Sequence, residues 1–520
     1  MPKSADIIVD LDKISEANKK PGVQINPGSA YLERNIYLQH GDGYQYPIDN
    51  FVKYIMVQES IYQPGIMGYL EMADTYNLIR NGVILGQELL YLKFCTAGAE
   101  IAGLETTWNV DFFKHPLQVY KVEDLKELAT TGGSSAVQTL TYRLHFCSPE
   151  LLINDRTRVS KTIQGTYTDM VIDMLYNHLK TKKEVFLEDT SDLKKILIPN
   201  LHPMEFINRI TQVAQKEVPM VASNPHADVP KQATIFKGRL TDFRFWETTR
   251  GYNFLPMIQP EADSKFTLTC ATMPDAIGLP YFGFLNALSY EYGKHGNTYE
   301  PIKLGGWGSK HIQHNAFTKS VKTYQSNYHR SLANPRYSHV SKTPVYKNEE
   351  FGKNRDEEDR MISDWPDGQL NFSSYQGINK NTSIDKTNKE STTPWTPTPP
   401  TADMKRRMQM IHSLGYDQLT VTINGLSSLE AGMTIRLDLP DIGEGSGSFK
   451  GSEAKWENRL DNLWIITSLK HQIELPRNSY RCELQLSNTM SHTAKELETY
   501  QAPGKVPVHQ AYTQAAKTVQ

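Results

Sequence analysis

Cysteine is scarce in this sequence. Its four copies, Cys95, Cys147, Cys270 and Cys482, lie far apart and form no C-x-x-C pair, which excludes a zinc ribbon or a dithiol redox centre as the organising feature. Long apolar runs are missing too. No stretch approaches the ~18 residues that cross a bilayer, and the opening MPKSADIIVDLDKISEANKK has no apolar core of signal-peptide length. A chain made in the cytoplasm, with no membrane-spanning segment, is therefore expected. Charge of one sign is also lacking: 56 Lys and Arg stand against 58 Asp and Glu, a formal charge of −2. No global field draws in nucleic acid or an anionic membrane.

Several chemistries leave no trace. The chain has no H-E-x-x-H, no G-x-S-x-G and no G-x-x-x-x-G-K-[ST]. GEGSGSFKGS, residues 443–452 preceded by Ile442, is glycine-rich, but no strand followed by a helix frames it, so a loop is expected rather than a phosphate cradle. The carboxylates of NEEFGKNRDEEDR alternate with Lys and Arg as on a solvated charged face. His295, His311 and His314 are the best metal candidates. On a strand, however, His311 and His314 would point to opposite faces, so joint ligation would need a turned backbone. No catalytic, cofactor-binding or metal residue is assigned.

Alternation with a period of two dominates the chain. In GQELLYLKFCTAG, Leu90, Leu92 and Phe94 share one face. In AVQTLTYRLHFCSPE, Leu140, Tyr142, Leu144 and Phe146 share another, while Thr139, Thr141, Arg143 and His145 point away. The character changes after Pro149. TYTDMVIDMLYNHLK sets Val171, Met174, Leu175, His178 and Leu179 at helical spacing, with Thr166 and Asp169 as a capping box. LHPMEFINRITQVAQKE predicts a second helix that starts at Pro203 and buries Phe206, Ile207, Ile210, Val213 and Ala214. His178 and His202 are read as core-edge or capping residues.

Strand character returns at FTLTCATM and YFGFLNALSYEYGKHGNTYEP and continues through HIQHNAFTKSVKTYQ. From Ser326 to Asp403 the composition is polar and proline-containing, which predicts an extended or partly disordered excursion unless a partner orders it. A short helix, DMKRRMQMIHSL, then leads into YDQLTVTINGLSSLEAGMTIRLDLP. There Leu419, Val421 and Ile423 share a face, Asn424-Gly425 stops the strand, and Ile435, Leu437 and Leu439 repeat the pattern. Leu463 and Ile465, then Cys482, Leu484 and Leu486, supply the inward residues of a last strand pair.

Three stretches together resemble the central baseplate hub of contractile phage tails, a family that includes the hub part of type VI secretion spike proteins. They are TLTYRLHFCSPELLINDRTRVSKTIQGTYTDMVIDMLYNHL, where a strand runs through Ser-Pro-Glu into a helix; HPMEFINRITQVAQ with RGYNFLP downstream; and LTVTINGLSSLEAGMTIRLDLP followed by LWIITSLKHQIELPRNSYRCELQLSN. The similarity spans about three quarters of the chain by its ordered pattern. It implies a mainly β chain with an α/β insert: two tube-like β-barrel domains, a helix-containing middle domain and a long polar insertion.

The expected division is an N-terminal arm (1–30), a first tube-like β-barrel (31–150), an α/β middle domain (151–260), a second barrel in two parts (261–325 and 404–490) around the extended polar insertion (326–403), and a C-terminal tail (491–520). The resemblance further implies a homotrimer whose pseudo-six-fold ring adapts a six-fold tail tube to a three-fold central spike, in the baseplate of a virion tail. Its implied partners are the tail tube protein, the central spike protein and baseplate wedge proteins, with DNA only in transit through the lumen. It implies no enzyme activity and no cofactor. A cell-wall hydrolase or cell-wall-binding tail module is the competing reading.

Overall fold

The computed structural model describes residues 30–32, 35–96, 110–129, 138–190, 194–221, 235–240, 243–257, 267–269, 287–295, 299–305, 308–315, 319–327, 370–375, 417–438 and 463–488. Cys270, Leu439, the helix expected from Asp403, the glycine-rich segment and both chain ends lie outside them.

The N-terminal lobe comprises β1 (Ala30–Leu32), β2 (Tyr37–Gln39), β3 (Gln45–Pro47), β4 (Val52–Ser60), β5 (Met67–Asp74), β6 (Leu89–Tyr91), β7 (Lys93–Thr96), β8 (Val110–Asp111), β9 (Leu117–Ala129) and β10 (Gln138–Cys147). Alternation behaves as the sequence predicts. Leu90, Leu92, Phe94, Leu140, Tyr142, Leu144 and Phe146 are all buried. On the opposite face of β10, Arg143 pairs with Glu71 and Asp124 across the neighbouring strands.

The middle unit follows directly, β10 passing through Ser148 into helix α1 (Pro149–Arg156). Its other elements are β11 (Val159–Gly165), α2 (Tyr167–Asp173), β12 (Glu184–Leu187), β13 (Lys194–Leu201), α3 (Pro203–Thr211), β14 (Lys216–Val221), β15 (Ile235–Leu240), β16 (Phe243–Thr248) and β17 (Gly251–Pro256). Thr166 and Asp169 form the capping box in full at the start of α2. The helix continues as one wide turn, Met174–His178, that buries Met174 and Leu175.

His178 sits at the core edge, its Nε2 2.9 Å from Lys161 Nζ. The His202 Nδ1–H donates to the carbonyls of Asn154 and Thr157 at 2.8 and 2.9 Å, fastening the end of α1 to the start of α3. Phe206, Ile207, Ile210 and Ala214 are buried as expected. Val213 is not: α3 ends at Thr211, the stripe loses its helical phase there, and Val213 is 40% exposed.

The C-terminal part contributes β18 (Thr267–Thr269), β19 (Ala287–His295), helix α4 (Tyr299–Leu304), β20 (Gly308–Asn315), β21 (Ser320–Asn327), β22 (Leu370–Tyr375), β23 (Asp417–Asn424), β24 (Thr434–Asp438), β25 (Leu463–Glu474) and β26 (Ser479–Asn488). β22 falls inside the polar insertion and pairs in parallel with β20, so residues 370–375 are ordered by this chain itself, where an excursion was expected to need a partner. β20, β21 and β22 form a sheet of their own.

β1, β7 and β8 form a small sheet in the order β1-β7-β8, and the other strands of the N-terminal lobe and the C-terminal part build one thirteen-stranded sheet in the order β19-β23-β26-β25-β4-β5-β10-β9-β6-β2-β3, with β24 on β25 and β18 on β24. The join is antiparallel: β25 lies against β4 from Ser468 opposite Ser60 to Glu474 opposite Tyr54. The N-terminal lobe and the C-terminal part thus share a sheet and a core. Phe94 of the N-terminal lobe meets His471 and Tyr480 edge-on, with ring centroids 5.8 and 5.7 Å away. Ile55, Val57, Leu70, Val421, Ile466, Leu469, Ile473 and Leu484 are fully buried in the same cluster. Each such side chain contributes roughly 1.5–3 kcal/mol relative to exposure.

Gly425, which stops β23 as predicted, approaches so near Tyr480 that a Cβ would lie 2.0 Å from its ring. One inward set differs from expectation. Trp464 and Ile466 face the shared core, whereas Ile465 packs in a side cluster against the middle unit. Both faces of β25 are covered there, and a bulge follows Ile466, so alternation could not choose between them.

Candidate functional site

The densest polar arrangement lies where the middle unit meets the β4–β25 join, and strand phase explains how it forms. Glu59 follows Ile55 and Val57 on the inward face of β4, Glu247 follows Phe243 and Phe245 on β16, and Glu430 lies in the loop between β23 and β24 beside Leu429. All three carboxyls are carried inside on otherwise apolar faces.

Two of them are matched by cations. Lys183 Nζ donates to Glu150 at 2.7 Å and to Glu247 at 2.5 Å, with both carboxyl side chains under a tenth exposed. It also lies 5.6 Å from the ring centroid of Tyr252. Arg250, in the β16–β17 turn, grips both oxygens of Glu430. The other oxygen of Glu247 accepts the Ile66 amide at 3.0 Å, tying the turn after β4 to the middle unit.

Glu59 is different. Its oxygens accept the amides of Thr249 at 2.8 Å and Ala431 at 3.1 Å, bridging the middle unit and the C-terminal loop. Burial, then the neighbouring Glu430, pushes its carboxyl up to about 8. Burial raises Glu247 and Glu430 as well, against the opposing pull of Lys183 and Arg250. For Lys183 burial alone would favour the neutral amine, but Glu247 and Glu150 together raise it above its ordinary value.

An apolar layer completes the joint. Trp246, Ile61, Met257, Ala431 and Ile465 form a cluster, and the Trp246 indole N–H donates to the Ala431 carbonyl at 3.0 Å. Gly432 makes this possible: φ is +94°, and a Cβ would stand 2.7 Å from the indole ring. The joint can therefore hold three parts of the chain in register. It is built from carboxyls that the sequence reading did not single out. The signal for two of them was present in a charged residue on the inward phase of an apolar strand.

The histidine candidates are not brought together. His311 and His314 lie three apart on β20 and so on opposite faces, His311 buried and His314 half-buried; the side chain of His295 lies outside the described residues. Among the described residues no group of three or more His, Cys, Asp or Glu is arranged to hold a metal. The histidine and cysteine that do meet are His471 and Cys482, with Sγ 3.4 Å from Nδ1 and the Tyr480 hydroxyl hydrogen-bonded to that nitrogen at 2.8 Å. Burial drives the thiol up to about 12 and the imidazole down to about 4, the reverse of a thiolate–imidazolium pair. This is a neutral packing unit, and Cys482 fills core as expected.

No protein-family model matches the chain, and no curated protein matches it. Solved structures do. The chain is similar to phage tail proteins. One is a tail protein from Neisseria meningitidis MC58, with 9% identity, coverage of 87% of this chain and 96% of that one, and a TM-score of 0.45. Another is the 43 kDa tail protein of prophage MuSo2 from Shewanella oneidensis, with 10% identity, coverage of 88% and 98%, and a TM-score of 0.44. A third is the E. coli c3393 protein, described as a type VI secretion component structurally similar to the T4 tail proteins gp27 and gp5. It shows 8% identity, coverage of 89% and 78%, and a TM-score of 0.36. No helix among the described residues is long and apolar enough to cross a membrane.

Proposed function

We propose that this chain is a structural hub subunit of a contractile-type tail baseplate, assembling as a homotrimer in the virion tail. One observation carries the reading: strands from residues 37–147 and from residues 267–488 form one mainly antiparallel sheet joined edge to edge by β25 and β4; read as two lobes per chain, three copies would present six lobes around an axis. Such a ring has pseudo-six-fold symmetry from a three-fold assembly, the geometry needed between a six-fold tail tube and a three-fold central spike.

On this reading residues 31–150 form one tube-like lobe, and 261–325 with 404–490 form the other. The middle unit, 151–260, braces their join from outside. The insertion at 326–403, the arm at 1–30 and the tail at 491–520 engage wedge, tube or spike proteins, while DNA only passes through the lumen. The mixed, mutually paired charges on the solvent face, such as Arg143 with Glu71 and Lys470 with Glu483, support a surface that does not hold a polyanion.

The test is the mass of the purified chain at micromolar concentration, together with projection images by electron microscopy. A trimer with a six-lobed projection and an open centre is expected. A strict monomer, or a closed centre, would overturn the reading. Peptidoglycan clearing by the isolated chain would favour the hydrolase alternative instead.

A further inference from the structure

The joint contains four carboxyl groups, Glu59, Glu150, Glu247 and Glu430, but two cations, Lys183 and Arg250. Both cations are committed: Lys183 is shared by Glu150 and Glu247, and Arg250 spans Glu430. Glu59 is fully buried and forms no ion pair among the described residues; its only side-chain partners there are two backbone amides. Two amides compensate a buried negative charge incompletely.

The other groups around it supply no positive charge. Glu430 and Glu247 are of like sign and face Glu59 from the 425–433 loop and from β16. Tyr480 and Cys482, on β26, keep their protons, and His471, on β25, is held neutral by burial. The carboxyl is thus stable inside this joint as the uncharged acid, and the two amides it accepts belong to different parts of the chain.

We propose that Glu59 is a proton-held latch. Uncharged, it fastens the β16–β17 turn and the 425–433 loop to the end of β4, and the grip weakens as rising pH favours an opened joint in which the carboxyl is hydrated and ionised. The sheet core stays closed in this opening, held by its own hydrophobic cluster and by the β4–β25 ladder.

The sign follows from linkage. The closed joint keeps the Glu59 proton up to about pH 8, whereas an opened, solvated carboxyl loses it near its ordinary value of 4.5. The stabilisation is complete below about pH 4.5, declines across the window between the two values, and is exhausted above about 8. One proton corresponds to about a tenfold change in the opening equilibrium per pH unit within that window.

Hydrogen exchange of the full chain, corrected for intrinsic rates and followed from pH 5 to 9, tests this. Protection at residues 248–251 and 426–432 is expected to fall about tenfold per pH unit, or more steeply where Glu247 and Glu430 add to it, and to level off above about 8. Protection in β10 and β26 should stay above that of the joint at every pH, because the joint opens without the sheet. In Glu59→Gln the slope at the joint should be smaller by about one decade per unit. A flat wild-type profile, joint protection as high as that of β10 and β26 at every pH, or an unchanged slope in Glu59→Gln would each overturn the proposal. Should the amide prevent folding, Glu59→Met supplies a second uncharged side chain of similar length, and the wild-type series alone remains decisive.

Discussion

Arg250 and Glu430 offer the sharpest test of how the middle unit is attached. Replacing Arg250 by Met removes both hydrogen bonds to Glu430 and leaves a carboxyl that is only 8% exposed without a counter-charge. Breaking a buried pair from one side costs about 3–5 kcal/mol. Arg250 is itself 23% exposed, so solvent compensates part of the loss, and about 2–3 kcal/mol is expected.

Two further outcomes distinguish a lost pair from general damage. The double replacement Arg250→Met with Glu430→Met should be less destabilising than Arg250→Met alone, because it removes the orphaned charge along with its partner. The penalty should also depend on pH. Arg250 opposes the upward push of burial on Glu430, so without it that carboxyl rises further and folding retains its proton over a wider range. The single variant should lie nearer wild type at pH 5 than at pH 8. Urea denaturation of the four proteins at both pH values reads all of this. A single-variant penalty below about 0.5 kcal/mol, or a double variant no better than the single, would refute the reasoning.

Three other outcomes follow from the packing. Leu469→Ala, at a fully buried position in the shared core, should cost about 2–5 kcal/mol and lower exchange protection in β5 and β10 as well as β26, since one cluster serves both parts of the sheet; loss confined to β25 and β26 would indicate two separate cores. Gly432→Ala combines φ of +94° with a 2.7 Å approach to Trp246, and a loss of at least about 1–2 kcal/mol with an altered tryptophan emission spectrum is expected. Cys482 should resist a thiol reagent at pH 8 in the native protein and react only on unfolding, because the thiol is buried, is pushed up to about 12 and has a neutral imidazole beside it; rapid native-state labelling of this residue would show an accessible thiolate.

Local rules carried the sequence reading furthest. Period-two alternation placed Leu140, Tyr142, Leu144 and Phe146 inward, and the Thr166–Asp169 box and Pro203 set two helix starts, because strand phase and helix caps depend on residues a few positions apart. The same rules fail where tertiary cover or chain ends intervene. Val213 turned outward once α3 had stopped, and Trp464 and Ile466 took the core that Leu463 and Ile465 were expected to fill, because β25 is buried on both sides. Residues 370–375 look like part of a polar excursion until β20 offers them an edge.

What the sequence by itself determined was therefore the phase of most strands, the position of the helical insert and the apolar character of Cys482. Only the tertiary structure decided that β25 pairs with β4, about 410 residues away, to make one sheet of two lobes. It alone brought Glu59 beside Glu247 and Glu430, and set Lys183 and Arg250 against the latter two. Pairing partners and buried charges are chosen by which surfaces meet, and local periodicity holds no record of a neighbour hundreds of residues distant.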